Sequence, residues 1–99
     1  MRNNYTIIFH PKAEKEYLES VIWYENSLIG LGQSFFTEIE NALKQIQKKP
    51  LLFPQKNTQF REAVVKKFPY VIVYEIKEPI HQINILSVFH TKRNPKKKH

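Results

Sequence analysis

Apolar residues in the last third of the chain follow the pattern of β-strands. The segments 60–67, 68–74 and 83–93 are rich in β-branched and aromatic residues, which suit a pleated, half-buried surface. Pro69 separates the first two segments because it has no backbone N–H, and Glu78-Pro79 separates the second from the third. The pattern predicts three consecutive antiparallel strands. The nearly unbroken apolar run 70–76 predicts a middle strand that is covered on both faces.

The first half of the chain predicts one strand and two amphipathic helices. Residues 4–9 have strand composition, and Pro11 suits the start of a helix over about 12–27. A second helix over about 32–48 carries one apolar and one polar stripe, and the only two glycines of the chain mark the turn between the helices. The short turn predicts an antiparallel helical hairpin. The apolar positions of the first helix that recur at helical spacing are Ala13, Tyr17, Leu18, Val21, Tyr24 and Leu28.

The order strand, helix, helix, strand, strand, strand predicts an α+β domain. The N-terminal strand and the three-stranded antiparallel meander form one sheet, and the hairpin packs on one face of it. The pattern does not say whether the first strand joins at an edge or between other strands. Segment 49–58 predicts an irregular crossing that Leu51, Leu52 and Phe53 anchor to the core. We expect one domain over residues 1–95 and a basic, disordered tail at 96–99.

Composition narrows the possible partners of the protein. The 99 residues carry a net charge of +7 at pH 7, which favours an acidic or polyanionic partner. The chain has no cysteine, which excludes disulfides and zinc–thiolate sites, and no histidines and carboxylates have metal-site spacing. We therefore expect no metal and no cofactor. The apolar runs are too short for a membrane span or a signal peptide, so we expect a cytoplasmic protein without a membrane partner.

Cationic side chains stand near the ends of the predicted strands. Cleavage of RNA by internal transfer needs a base for the 2′-hydroxyl, an acid for the 5′-oxygen, and cations for the phosphorane, where one lost donor costs about 10²–10³ in rate. Arg61, His90 and Arg93 are the candidates for this chemistry, with Glu62 and Glu75 as further candidates for the base. The residues predicted to contact a nucleic acid or another target are Arg61, Lys66, Lys67, Lys92 and Arg93.

A resemblance to a known family is carried by residues spread over nearly the whole chain. They are Trp23-Tyr24-Glu25, Gly30-Leu31-Gly32, Pro50, Pro54, Arg61, Phe68-Pro69-Tyr70, Ile72, Tyr74, Ile83, Ile85, Val88, His90, Arg93 and Pro95. This ordered set resembles the RelE/ParE toxin superfamily, in the branch labelled plasmid stabilisation proteins. The chain departs from many members in one respect, because it has no aromatic residue shortly after Pro95.

The resemblance implies the toxin of a bacterial type II toxin–antitoxin pair, with an acidic, partly disordered antitoxin as its cognate partner. RelE-like members cleave messenger RNA on the ribosome, whereas ParE-like members poison DNA gyrase and carry no nuclease site. RelE-type nucleases tend to carry an arginine in the segment that is 70–74 here, and this chain has only apolar and aromatic residues there. The first hypothesis is therefore a gyrase inhibitor. The alternatives are a ribosome-dependent endoribonuclease that uses Arg61, His90 and Arg93, and a non-toxic binding module of the same fold.

The helical hairpin carries more apolar residues than one core-facing stripe requires. Together with an exposed sheet edge, this excess predicts the surface on which the antitoxin docks, by helix-in-groove contact and by strand addition. The assembly expected is a homodimer or a hetero-oligomer with the antitoxin. The residues predicted to bind the antitoxin are Ile22, Trp23, Ile29 and Leu31.

Overall fold

A computed structural model describes residues 5–92 of the chain. Its elements are β1 (Thr6–Phe9), α1 (Pro11–Ser27), α2 (Leu31–Lys48), β2 (Arg61–Val64), β3 (Tyr70–Lys77) and β4 (Gln82–His90). The predicted order of one strand, two helices and three strands is confirmed. Arg93 and the predicted tail at 96–99 lie outside the described residues.

The four strands form one open sheet in the order β1-β4-β3-β2. β2 and β4 both pair antiparallel with β3, which confirms the predicted meander. The N-terminal strand joins at an edge: β1 runs parallel to the first half of β4, with Thr6 opposite Gln82 and Phe9 opposite Ile85. The sheet is therefore mixed, and β1 covers the edge of β4 only as far as Ile85.

Two strands of the meander end earlier than the pattern predicted. β2 ends at Val64 because the chain turns over residues 66–69, where Lys67 has a left-handed backbone with a φ of 71°. β4 ends at His90 because Thr91 turns the chain toward the same loop. The backbone N–H and the hydroxyl of Thr91 both donate to the carbonyl oxygen of Pro69, at 2.8 and 3.1 Å.

The helical hairpin packs on one face of the sheet and forms the main core. Phe35 of α2 is fully buried at its centre, with ring centroids 4.7 to 5.2 Å from those of Tyr70, Tyr24 and Phe68. On the other face, Val71 and Val73 of β3 are buried in a second cluster with Phe89. Residues 70–74 are thus covered on both faces, as predicted. Neither described helix is both long and apolar enough to traverse a bilayer.

The two glycines and Glu25 together build the turn of the hairpin. Gly30 has a φ of 90°, a left-handed conformation that glycine adopts without steric cost. The carboxylate of Glu25 on α1 accepts hydrogen bonds from the N–H groups of Gly30 and Gly32, both at 2.9 Å, and so caps the start of α2. A Cβ on Gly32 would lie 2.7 Å from the carbonyl oxygen of Val21. The close approach of the helices therefore requires glycine at position 32.

The crossing segment between α2 and β2 is held by polar contacts to the sheet. The Tyr74 hydroxyl donates to the carbonyl oxygen of Pro50. Burial raises the pKa of Tyr74 to about 12, although the nearby Arg61 lowers it. Phe53 packs against the core as predicted, but Leu51 and Leu52 are exposed, so the prediction is wrong for these two residues. Leu51 and Leu52 need not be buried, because hydrogen bonds to backbone carbonyl oxygens hold this part of the chain.

A pH prediction arises at the turn between β3 and β4. The Tyr5 hydroxyl donates to the Glu78 carboxylate at 2.6 Å, and this bond, more than the contact with His81, lowers the pKa of Glu78. A lowered pKa in the folded state contributes stability above the unfolded pKa, and this contribution is lost as pH falls through the folded value. We expect the Glu78 carboxyl signal in NMR to titrate below that of an ordinary glutamate, and Tyr5→Phe to raise its midpoint. An unchanged midpoint in the variant would contradict this.

Candidate functional site

The predicted cationic residues lie at two separate ends of the sheet. Arg61 pairs with Tyr74 in the register, and His90 pairs with Tyr70, so the two positions are four residues apart along β3. At a rise of about 3.3 Å per residue, this corresponds to about 13 Å along the strand. β2 and β4 also flank β3 on opposite sides. The structure therefore does not bring Arg61 and His90 into one site, and Arg93 lies outside the described residues.

Arg61 is engaged in holding the crossing segment. Its guanidinium Nη1 donates to the carbonyl oxygen of Phe53 at 2.8 Å. Arg61 shares the helix-covered face of the sheet with Tyr74, whose pKa responds to the arginine charge. This position favours a structural role for the guanidinium, which links the crossing segment to the edge strand.

The other predicted target-binding cations gather at the far end of the sheet. Lys66 and Lys67 lie in the turn between β2 and β3, and Lys92 follows the end of β4, where the bonds from Thr91 to Pro69 bring the two loops together. Lys67 pairs with Glu38 of α2 at 3.5 Å. His90 lies at this end as well, with its ring edge-on to that of Tyr70 at 5.0 Å, and its Nδ1 accepts the backbone N–H of Lys92 at 3.1 Å.

The two candidate bases lie on the sheet face opposite the helices. Glu62 pairs in register with Val73 and is buried, whereas Glu75 accepts a hydrogen bond from Asn84 at 3.1 Å and lies 3.6 Å from Lys77. Arg61 shares the helix-covered face, so neither carboxylate faces it across the strand. Neither glutamate is therefore placed to act with Arg61 on one substrate.

The helical hairpin presents exposed apolar residues, as its sequence indicated. The exposed residues are not the same four that were predicted. Ile22 is 60% exposed and Ile29 is 91% exposed. Trp23 is half exposed on another side of α1, edge-on to Tyr24, and Leu31 packs partly into the core. Of the four residues predicted to bind the antitoxin, three are thus exposed and Leu31 is partly buried.

Leu18 and Leu28 are exposed residues that the sequence pattern assigned to the core-facing set of α1. The buried positions of α1 are Ala13, Tyr17, Ser20 and Tyr24. Leu18 is offset by about 100° from Tyr17 and lies four residues before Ile22, so it shares the outer face with Ile22. The i, i+4 spacing of Leu18 and Ile22 was the sequence signal that could have shown the exposure of Leu18. The name outer apolar surface is used below for Leu18, Ile22, Leu28 and Ile29.

One family model and two solved structures are similar to this chain. The family model described as "ParE toxin of type II toxin-antitoxin system, parDE" matches residues 7–95. No curated protein matches the sequence significantly. Among solved structures, the chain is similar to one from the chromosomal ParDE toxin–antitoxin system of P. aeruginosa, with 15% identity, a TM-score of 0.63, and coverage of 90% of this chain and 98% of that chain. It is also similar to one from the toxin–antitoxin complex RelBE2 of Mycobacterium tuberculosis, with 19% identity, a TM-score of 0.60, and coverage of 88% and 98%.

A two-helix hairpin on one face of a four-stranded mixed sheet is thus the fold that this chain shares with chains of toxin–antitoxin systems. The match over residues 7–95 places it further: the chain belongs to the ParE toxin family of type II toxin–antitoxin systems. It is a type II toxin, and its partner is a cognate antitoxin.

Proposed function

We propose that this toxin acts by binding and inhibiting DNA gyrase, and that it has no nuclease activity of its own. The observation that carries this proposal is the burial of residues 70–74 of β3, a segment that has no charged or exposed side chain. A phosphate cannot be held by buried apolar groups, because only charged or polar donors stabilise its negative charge.

The positions of the candidate catalytic residues support the same proposal. Arg61 donates to the carbonyl oxygen of Phe53, and about 13 Å of strand separates its register position from that of His90. Stabilising donors act when they lie about 2.7–3.1 Å from the developing charge, so groups this far apart do not serve one phosphorane. The match to the ParE family favours gyrase among the possible targets, since ParE-like toxins poison DNA gyrase.

The test is a supercoiling assay with purified toxin and DNA gyrase. We expect loss of supercoiling with accumulation of cleaved DNA as toxin is added, and we expect no cleavage of messenger RNA on ribosomes at the same toxin concentration. The His90→Ala variant is the matched control, because it removes a candidate acid or base and leaves Arg61 in place. Full gyrase activity at saturating toxin, or ribosomal cleavage that His90→Ala abolishes, would overturn the proposal.

We infer that a helix of the cognate antitoxin covers the outer apolar surface. Leu18 and Ile22 lie one helical turn apart on the side of α1 away from the core, and Leu28 and Ile29 continue the apolar character into the turn. Exposed apolar side chains that gather on one side of a small protein are typical of an interaction site. An amphipathic helix that lays its apolar face there would bury these side chains.

We expect Ile22→Glu combined with Ile29→Glu to weaken antitoxin binding at least about tenfold and to leave growth arrest by the toxin unchanged. Each glutamate would bury a charge against an apolar partner, and tenfold corresponds to about 1.4 kcal/mol. Calorimetric titration of the toxin with its antitoxin measures the affinity, and co-expression measures neutralisation. Leu51→Glu is the control, since Leu51 is similarly exposed but lies in the crossing segment. Unchanged neutralisation of the double variant would contradict the docking site.

A further inference from the structure

Two adjoining polar grooves follow the solvent side of α2 and meet beside the turn between β2 and β3. Their volumes are about 470 and 450 Å³, and Glu38 and Lys67 line both of them. The two together are called the α2 groove below. The other polar residues that matter in the α2 groove are all exposed, and they are Ser34, Thr37, Asn41, Lys44, Gln45 and Lys66.

The polar residues of α2 form a nearly straight row, because their spacing matches the period of the helix. Ser34, Asn41 and Gln45 recur at steps of seven and four residues, so they lie on one side of α2, away from its buried positions. At a rise of about 1.5 Å per residue, the row is about 17 Å long. Phosphates of one DNA strand follow each other at about 3.4 Å along the duplex axis, so the row is as long as about five phosphates.

Lysines make the α2 groove basic. Lys44, Lys66 and Lys67 line it, whereas its acidic residue, Glu38, has a side chain that is only 14% exposed and lies 3.5 Å from the ammonium group of Lys67. The side chain of Lys67 remains 76% exposed. Helix α1, the other half of the hairpin, carries two lysines and four glutamates. An anion that approaches the hairpin is therefore attracted to the α2 groove and repelled by α1.

The side chains of the α2 groove suit phosphates better than bases or a protein surface. Hydroxyl, amide and ammonium groups are the groups that proteins place against the phosphates of DNA. Sites for single strands add exposed aromatic rings, but the ring of Phe68, which lines the groove, is packed against Phe35 and Tyr24. Protein interfaces centre on apolar anchors, and among the described residues that line the groove Val64 is the one exposed apolar side chain.

We propose that the α2 groove binds the phosphate backbone of duplex DNA, and that the toxin thereby engages gyrase together with the DNA that gyrase holds. The first half stands on the groove alone, and the second half rests on the proposed function and deepens it. Lys44, Lys66 and Lys67 contact phosphates, and the row of hydroxyl and amide groups supplies further hydrogen bonds. Contact with DNA and contact with gyrase strengthen each other through a raised effective concentration.

The first test measures binding of the full-length toxin to a fluorescent DNA duplex of about 20 base pairs by anisotropy, between about 50 and 200 mM KCl. Each lysine that neutralises a phosphate contributes about 0.9 to the slope of log affinity against log salt concentration. We expect Lys44→Gln combined with Lys66→Gln to weaken binding and to make this slope shallower by about 2. Duplexes of unrelated sequence should bind within about twofold of each other, because phosphate contacts carry no sequence information.

The matched control is Lys56→Gln combined with Lys77→Gln. It removes the same net charge from the crossing segment and from the end of β3, and neither lysine lines the α2 groove. We expect its slope to stay within about 0.5 of that of the unaltered toxin. Equal changes of slope in the two double variants, an unchanged slope in the Lys44, Lys66 variant, or tighter binding of single-stranded DNA would overturn the inference. Equally tight binding of the acidic peptide acetyl-(Glu-Ser)₅-amide would overturn it as well.

The second test measures the affinity of the toxin for gyrase with and without linear duplex DNA. We expect the DNA to tighten binding of the unaltered toxin at least about tenfold, and binding of the Lys44, Lys66 variant by no more than about twofold. The Lys56, Lys77 variant should behave as the unaltered toxin does. An equal effect of DNA on all three proteins would show that the groove does not contact the DNA on gyrase.

The failure of this inference is distinguishable from the failure of the proposed function. Gyrase inhibition that the Lys44, Lys66 variant retains in full, without binding of duplex DNA by the unaltered toxin, would remove the groove and leave gyrase as the target. Duplex binding with the expected slopes but no effect on gyrase would support the groove and remove gyrase as the target.

Discussion

Phe35→Ala is expected to lower the free energy of unfolding by about 3–5 kcal/mol. Phe35 is fully buried, and its ring contacts those of Tyr17, Tyr24, Phe68 and Tyr70. The substitution removes the packing contacts of the ring and leaves a cavity between the hairpin and the sheet. The neighbouring rings cannot fill this cavity, because they would have to give up their own contacts. Because domains of this size are stabilised by about 5–15 kcal/mol in total, this loss would remove a large share of the stability of the protein.

Urea denaturation followed by circular dichroism measures this loss. Phe36→Ala is the matched control, since Phe36 is the next residue but is partly exposed and stacks only on Tyr17 among the described rings. We expect about 1 kcal/mol for this control. A loss below about 1.5 kcal/mol for Phe35→Ala, or equal losses for the two variants, would show that the hairpin is not held to the sheet by this ring cluster.

Glu16→Ala is expected to destabilise the fold by about 2–4 kcal/mol, through two donors that lose their acceptor. The Ser87 hydroxyl and the Val88 N–H both donate to Oε1 of Glu16, and both residues are buried. Their position on β4 lies just beyond the end of the pairing with β1, so no strand takes over the Val88 N–H. The substitution also opens the β4 edge, and we expect the variant to self-associate through it at high concentration.

Chemical denaturation measures the stability of this variant, and light scattering measures its mass. Glu16→Gln is the control because the amide oxygen retains one acceptor, and its cost should stay near 1 kcal/mol. Adding Ser87→Ala to Glu16→Ala should recover part of the loss, since the buried hydroxyl is removed with its partner. Unchanged stability of Glu16→Ala would contradict the role of its hydrogen bonds to Ser87 and Val88. A monomeric Glu16→Ala protein at high concentration would contradict the protection of the β4 edge by Glu16.

The candidate site shows where sequence reasoning reached its limit. Arg61, His90, Lys66 and Lys67 were each identified as cations near strand ends, and each does lie near a strand end. Their grouping was not available, because strand ends meet only when the register and the sheet order are known. The register separates Arg61 from His90 and joins the loops at 66–69 and 91–92.

Long-range polar contacts were equally out of reach of pattern reasoning. Glu16 reads as one of several glutamates on a solvated helix, yet it bonds to residues more than seventy positions later in the chain. Glu25 has the same sequence pattern as Glu16, yet its carboxylate caps the start of the second helix. A carboxylate on a helix has the same local pattern whether it faces water or a neighbouring backbone, so only the packed fold distinguishes the two cases.

The sequence by itself determined the elements and their order, the helical hairpin with its glycine turn, the doubly covered middle strand and the family of the protein. These features depend on local periodicity, on proline and glycine chemistry, and on an ordered set of residues, all of which a single chain carries. Only the tertiary structure decided the parallel edge position of β1, the exposure of Leu18 and the separation of Arg61 from His90. These features arise from strand pairing and from the angle at which helices meet the sheet, which sum many weak contacts between distant residues.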